Sequence, residues 1–562
     1  MTARSDAVPQ RAPEQVMRLE RLGAFHASRL SFSRILLRRI AREKWHIKRL
    51  EWNVDADGWG HAVYQIDTGT DAGATQLYFY AFSNQLEPHE RTDRVIAEKW
   101  DAAFTLSTAP PSPQTLSRLA QAVPRQEAGR LSAKELVLSR ANKSVRFFEQ
   151  TVERLARGVQ PDEQQLGDIG YLMRTTAVYG NGKFGLADFG APPADTLFRL
   201  PFQAEMLTVF LIRHFSVQLA EHLALAKSSE AACIEPATAR RLGIGNATGL
   251  GMAPFLVNHP QLLHAWIDAR EQALAMVRGR ASADPARIER ARTLMSGLIA
   301  YADSWQTPDS EQHQAIDRLR EELREIREHW FATRSQRLTE PHPWDAFYNT
   351  VQARYQPETA ELIVSMLLEL YPELVDPFEN ATAVKEQWSY EPSMTVTALK
   401  GLIERSYAWA LKVNFEDRTN QARFWYVSAA KQEPRLGNRY EEDGATLELP
   451  MDIARQVVTL YESLRETPLR SVGEFLVSNP SCRNAVRRVQ TLHRLPYAEI
   501  QENLLAPDIR PLHMLRCKLA TFGASGFDPK SDLWTRITLF QGAPLASEFG
   551  HHNAPSWDFF AP

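Results

Sequence analysis

The sequence predicts a mainly helical α+β protein, with helical domains that carry small antiparallel sheets and an internal duplication packed about a pseudo-two-fold axis. Three observations predict it. Apolar residues recur at helical spacing over most of the 562 residues. Three alternating segments, HIKRLEWNV, HAVYQIDT and QLYFYAFS, are separated by the turn compositions DADGWG and GTDAGA. Four blocks recur in the same order about 340–365 residues apart, the self-similarity that marks a repeat.

The totals bound the class. The chain is too long for one ordinary core. Its 44% hydrophobic and 24% charged content is that of a soluble globular protein. A net charge of −3 favours neither nucleic acid nor an anionic membrane as partner. No apolar run approaches the roughly 18 residues of a membrane span; the nearest, MLTVFLI, is flanked by Glu205 and Arg213. MTARSDAVPQRAPEQ has charges and prolines but no apolar core, so no secretory signal is expected. Cys233, Cys482 and Cys517 lack CxxC spacing and fit a reducing cytosol. A cytoplasmic, bacterial protein is expected, and its oligomeric state is left open.

In order, Ser31 or Ser33 caps a helix over SRILLRRIAREKW, and the three alternating segments form a meander. Helices are then read at 94–105, 113–123, 132–157 and 161–179. The third of these starts on the capping box Ser132/Glu135. Pro201–Lys227 is a strongly apolar helix. Further helices follow at 260–280, 284–305, 309–333, 346–370 and 393–411. RFWYVS is a short strand, and helices at 451–466, 471–477, 480–493 and 507–520 complete the chain.

The recurring blocks pair Leu30–Trp45 with Met394–Trp409, Tyr78–Pro88 with Arg423–Pro434, Glu135–Leu155 with Glu474–Leu495, and Tyr171–Asp188 with His513–Asp532. They divide the chain into a disordered arm (1–17), a first repeat (18–190), a helical insert (191–375), a second, diverged repeat (376–545) and a tail (546–562).

Two glycine-rich stretches are the places where chemistry could sit. YLMRTTAVYGNGKFGLADF (Tyr171–Phe189) reads as a helix that stops in a polar glycine turn. GIGNATGLGMAP (Gly243–Pro254) could offer backbone N–H groups to an anion. It lacks the GK[ST] of a phosphate loop and the spacing of a dinucleotide fingerprint, so no cofactor is expected. The catalytic candidates are Lys183, Tyr179 and His259. Arg174, Asn181, Asn246 and Thr248 are the substrate-binding ones. Arginine and lysine suit a carboxylate or phosphate, while Tyr and His move protons near neutral pH. Cys482 follows Asn479-Pro480 at a helix start, where a thiolate is favoured. Glu325-x-x-Glu328-His329 and His214 with Glu221-His222 could each place ligands along a helix face, but the paired Glu-x-x-His pattern of metal bundles is missing and no metal is expected. The expected function is an enzyme acting on a small anionic metabolite by acid–base chemistry, of lyase or hydrolase type. The alternative is a non-catalytic binding or scaffold protein that presents the charged helix at 309–333.

Overall fold

The computed structural model describes residues 8–69, 76–83, 100–125, 131–132, 134–180, 200–246, 260–305, 310–332, 336–383, 390–416, 425–428, 434–436, 445–465, 470–500, 511–528 and 536–549. The chain opens with the short α1 (Pro13–Val16) and the amphipathic α2 (Phe32–Arg42). The meander follows as β1 (His46–Val54), β2 (Gly60–Asp67) and β3 (Gln76–Ser83). Next come β4 (Ala102–Ser107), α3 (Pro113–Arg125), β5 (Glu135–Lys143), α4 (Val145–Ala156), α5 (Glu163–Ile169) and β6 (Tyr171–Gly180). After them lie α6 (Gln203–Lys227), α7 (Pro236–Arg241) and β7 (Gly243–Asn246).

A helical stretch holds α8 (Pro260–Arg278), α9 (Pro285–Ser304), α10 (Ser310–Ile326), α11 (Pro343–Arg354), α12 (Pro357–Leu370) and α13 (Pro372–Val375). The remainder carries α14 (Val396–Ser406), β8 (Trp425–Ser428), β9 (Pro434–Leu436), β10 (Ala445–Glu448), α15 (Leu449–Arg465), α16 (Val472–Ser478), α17 (Arg483–Arg494) and α18 (Pro511–Lys518). It closes with β11 (Ala524–Asp528) and β12 (Arg536–Leu539).

The architecture corrects the expected fold class. The protein is α+β, but its centre is one nine-stranded mixed sheet in the order β1-β2-β3-β4-β5-β6-β7-β12-β11, where small antiparallel sheets were expected. A separate three-stranded sheet has the order β10-β8-β9. In the large sheet β6 and β7 run parallel, and the other neighbours are antiparallel.

The sheet curls about α6. This helix is apolar almost all round over its first two-thirds, the part that the fold encloses, and its last turn from Leu225 is exposed. It packs on β3 through β7. It reaches β1 through Trp52 against Phe215, with ring centroids 5.8 Å apart. It reaches β2 through the Tyr64 hydroxyl, which donates to Gln218 at 2.9 Å. The opposite face is covered by α3, with Tyr78, Tyr80, Trp100, Leu119 and Val123 in a second core.

The expected duplication is overturned as well. Leu30–Trp45 and Met394–Trp409 do both hold a helix. Glu135–Leu155, however, is a strand and a helix, whereas Glu474–Leu495 is helical. Tyr171–Gly180 is a strand, whereas His513–Lys518 is helical. The strand from Tyr78 sits in the large sheet and that at Trp425 in the small one. What the blocks share is the composition of amphipathic Arg/Leu-rich segments. The large sheet also draws strands from the first repeat, the insert and the second repeat as they were delimited by sequence.

Three helices read from the sequence are strands or partly strands. β4 is buried at every position, so it carries no alternation to betray it. The Ser132/Glu135 pair does form: the Glu135 carboxylate accepts from Ser132 N at 2.5 Å and Oγ at 2.9 Å. It fastens a turn that leads into β5. The helix read through Tyr179 ends at Ile169, where Gly170 takes the left-handed conformation at φ 71°. Asp162 caps that short helix by accepting from Gln165 N at 3.0 Å. Beyond it, Thr175, Thr176 and Val178 favour a strand, and pairing with β5 and β7 makes one.

Candidate functional site

β6 and β7 lie side by side and carry the first residues of the two glycine-rich stretches. Tyr171 pairs with Gly243, Arg174 with Gly245 and Thr175 with Asn246. Because the strands are parallel, the chain leaves both at the same end. β12 pairs antiparallel with β7, Ile537 against Asn246, so Arg536 starts β12 at that end too.

The first glycines of the second stretch have a packing reason. A Cβ on Gly245 would lie 2.7 Å from the Tyr171 ring. A Cβ on Gly243 would lie 2.5 Å from the Leu539 carbonyl oxygen. These are strand residues under close cover, where a glycine-rich loop was expected.

Registered partners share a face. Arg174 therefore lies on one face with Gly245, and Asn246 on the other with Thr175. Arg174 is half-buried and Asn246 buried, and the Thr175 hydroxyl donates to the Gly245 carbonyl at 3.2 Å. The backbone of Tyr179 pairs with Leu138. Asn181, Lys183, Thr248 and His259 lie outside the described residues. Of the named candidates, Arg174, Tyr179 and Asn246 are thus placed on adjacent strands, with Arg174 and Asn246 on opposite faces.

Much of the arginine excess is used inside the fold. Residues 8–17, within the segment read as a disordered arm, carry α1 and set Arg11 between Glu271 of α8 and Glu361 of α12. Arg34 of α2 makes a two-point pair with Glu369, and Arg29 bonds Glu369 at 3.0 Å and Asp376 at 2.6 Å. Burial alone would raise the Glu369 carboxyl, but Arg34 and Arg29 outweigh it and hold it down at about 2. Arg213 of α6 donates to the carbonyls of Leu242, Ala239, Arg240, Ala543 and Pro544 at 2.6–3.2 Å, satisfying the end of α7. Arginine in this sequence signalled buried structural ion pairs more than an anion site.

A second locus gave no sequence signal. Three rings, Phe32 of α2, Phe202 before α6 and Phe522 after α18, pack with centroids 4.9–5.2 Å apart. Phe522 lies in a π-helical turn, Leu519–Gly523, a feature frequent at functional sites. The Lys518 amine sits 5.8 Å from the Phe522 ring centroid, fully buried and without a hydrogen-bond partner among the described residues. Burial is the one influence on it and holds it well below the usual lysine range. Ser31 Oγ, Gln203 Oε1 and, further into α6, Glu205 Oε2 are also buried and unmatched among the described residues. Gln203 Nε2 donates to the Phe32 carbonyl at 3.5 Å, and Ser33 Oγ to the Gly523 carbonyl at 3.2 Å. Burial pushes the Glu205 carboxyl up to about 7. A lysine in an arginine-rich helical segment reads as solvated, so only the packing exposes this one.

No known family, curated protein or solved structure matches the chain.

The remaining candidates from the sequence have structural partners. His222 accepts from Trp52 Nε1 at 3.3 Å, and its Nε2 bonds the Asp55 carbonyl at 2.8 Å. His214 accepts from Ala546 N at 3.2 Å, and burial beside Arg213 lowers its ring to about 3. His329 bonds the Glu325 carbonyl at 2.9 Å, and Glu325 itself pairs with Arg354. Cys482 is half-buried in the turn Pro480–Cys482 that leads into α17. Among the described residues no group of three His, Cys, Asp or Glu could hold a metal ion, and no helix is long and apolar enough to cross a membrane.

Proposed function

We propose that the protein is an enzyme acting on a small anionic metabolite, a carboxylate or a phosphate, by acid–base chemistry of lyase or hydrolase type. The site is assigned to the end of the sheet where β6 and β7 stop. One observation carries this reading: β6 and β7 are adjacent and parallel, so the chain leaves both in the same direction, β7 at Asn246 beside Thr175 and β6 five residues further on at Gly180. Ligands in α/β sheets commonly bind beyond the carboxyl ends of parallel strands, where connections diverge.

In this reading Arg174 and Lys183 hold the anion, and Asn181, Asn246 and Thr248 bind the rest of the substrate. Tyr179 and His259 move the proton. The opposite faces of Arg174 and Asn246 mean that they grip different parts of the ligand or that one acts through the backbone between them.

The test is a screen of small carboxylates and phosphates for thermal stabilisation and turnover, followed by single substitutions. Lys183→Ala and His259→Ala should each lower kcat/KM by about 10²-fold or more, the usual scale for an acid–base group. Full turnover by both variants on an identified substrate would refute the assignment. In the scaffold alternative the charged face of α10 would meet a partner, while its Ile316, Leu319, Leu323 and Ile326 hold the helix to the core.

A further inference from the structure

β6 is an irregular strand, and its two irregularities fall one on each side of Arg174. Its register against β7 shifts between Tyr171 and Arg174. Its register against β5 shifts between Thr175 and Ala177, which pair with the consecutive residues Ala141 and Arg140. In a regular strand, residues an odd number apart point to opposite faces, so Arg174 would face away from Tyr171. One extra residue in β6 reverses that parity, and a bulge of this kind re-aims a side chain. Arg174 thus shares a face with Tyr171, whose ring lies over Gly245, the registered partner of Arg174. Leu172 and Met173, at the first shift, both enter the core built on α6. Arg174 faces the other way. Its partner on β5 is Asn142, which stands two and four residues from Arg140 and Leu138. Arg140 lies over the Trp100 ring at 4.7 Å, and Leu138 packs on the core under α3. Arg174 and Asn142 therefore stand side by side on the α3 face, and Thr538 of β12 follows across Gly245. Both Arg174 and Asn142 are half-buried, so each reaches solvent.

We propose that the substrate places a carboxylate on Arg174 on this face, and that Asn142 is a specificity residue that takes a hydroxyl group close to that carboxylate. The assignment rests on the β6–β7 reading and narrows its substrate class to hydroxy acids. Paired positions on antiparallel strands stand about 4.5–5.5 Å apart at Cα. That spacing lets a guanidinium and a carboxamide meet groups on neighbouring carbons of one small acid. The guanidinium fork matches a planar carboxylate at two points. The carboxamide both donates and accepts, as a hydroxyl does. A cationic substituent at the same place would be repelled by Arg174. Asn142 is also uncharged, so it leaves the positive charge of Arg174 to the ligand; a carboxylate at position 142 would claim it.

The experiment uses the full chain and pairs of acids that differ by one hydroxyl: acetate and glycolate, propionate and lactate, succinate and malate. Calorimetric titration gives each Kd. The parent should bind at least one hydroxy acid more tightly than its plain partner. Asn142→Ala should weaken that hydroxy acid about three- to ten-fold, the scale of one neutral hydrogen bond, and leave the plain acid within about two-fold. Arg174→Gln should weaken both by about ten-fold or more, because a charge-assisted pair is lost. Asn142→Asp should claim the guanidinium, so both acids weaken while the urea midpoint holds or rises. A purely structural Asn142 gives the reverse pattern, a lower midpoint in Asn142→Ala with the hydroxyl preference intact. That result overturns the proposal and leaves the β6–β7 reading standing, as does a parent that binds the plain acids equally well. A parent that binds none of these acids overturns the proposal and confines the β6–β7 reading to phosphates.

Discussion

Arg11 and Glu271, 260 residues apart in sequence, are joined at two points, Nε to Oε2 and Nη2 to Oε1, each at 2.7 Å. Both side chains are buried, and Glu361 approaches the same guanidinium at 2.6 Å. Removing the guanidinium leaves two interior carboxylates short of a partner. Arg11→Ala should cost about 3–5 kcal/mol, the scale for breaking a buried pair. Arg11→Lys should recover part of this, since lysine keeps the charge and loses the fork. Urea midpoints decide it: an unchanged midpoint in Arg11→Ala would show that the pair contributes nothing.

Lys518 should leave a mark on stability as a function of pH. Burial holds its folded amine well below the ordinary value of 10.5, so the unfolded chain takes up a proton that the folded one does not. Stability then falls as pH falls below 10.5, by up to about 1.4 kcal/mol per pH unit until the folded amine itself titrates. Lys518→Met should be more stable than the parent at pH 7 and lose most of that advantage near pH 10.5. The expectation fails if the gap between the two proteins is the same at both pH values.

Glu205 behaves in the opposite sense. Its carboxyl is pushed by burial from 4.5 to about 7. The resulting contribution is present in full below pH 4.5 and is lost as pH rises through 7. Glu205→Gln avoids the loss and should gain about 3 kcal/mol above pH 8 relative to its effect at pH 4. Chemical unfolding at the two pH values measures it, and a gain at pH 4 alone would contradict it.

Gly243 and Gly245 should respond differently to alanine. The methyl at Gly243 meets the Leu539 backbone oxygen, and the one at Gly245 meets the Tyr171 ring. Both changes should destabilise by about 1–3 kcal/mol, as overpacking does. Tyr171→Ala should relieve Gly245→Ala and leave Gly243→Ala unrelieved, a non-additivity that a double-mutant cycle reads directly. Equal relief of both would mean that the ring is not the obstacle.

How far the residues announce this structure depends on whether their signal is local. α6, α8 and α9 are legible from apolar periodicity and from Asp284, which caps α9 by accepting from Arg287 N at 2.9 Å. The box at Ser471/Glu474 marks the start of α16. The same chemistry at Ser132/Glu135 misleads, because the strand after it is decided by β4 and β6. Tyr171–Gly180 carries residues that suit helix or strand, and its fate is set by partners up to about 70 residues away. At the candidate sites, the residue types of Arg174 and Asn246 were legible and their opposite faces were not. Lys518 was invisible for the same reason: burial is a property of the assembled fold.

The pairing of β7 with β12, Ile244 against Leu539, has a consequence during synthesis. Ile244 emerges from the ribosome nearly 300 residues before Leu539. At 5–20 residues per second, the far side of β7 waits about 15–60 s for its neighbour. Until then the nascent chain displays an open strand edge beside a half-closed apolar trough, the kind of surface that recruits other chains. A holding chaperone, or sparse initiation that spaces nascent chains apart, is what this topology asks of the cell that makes it.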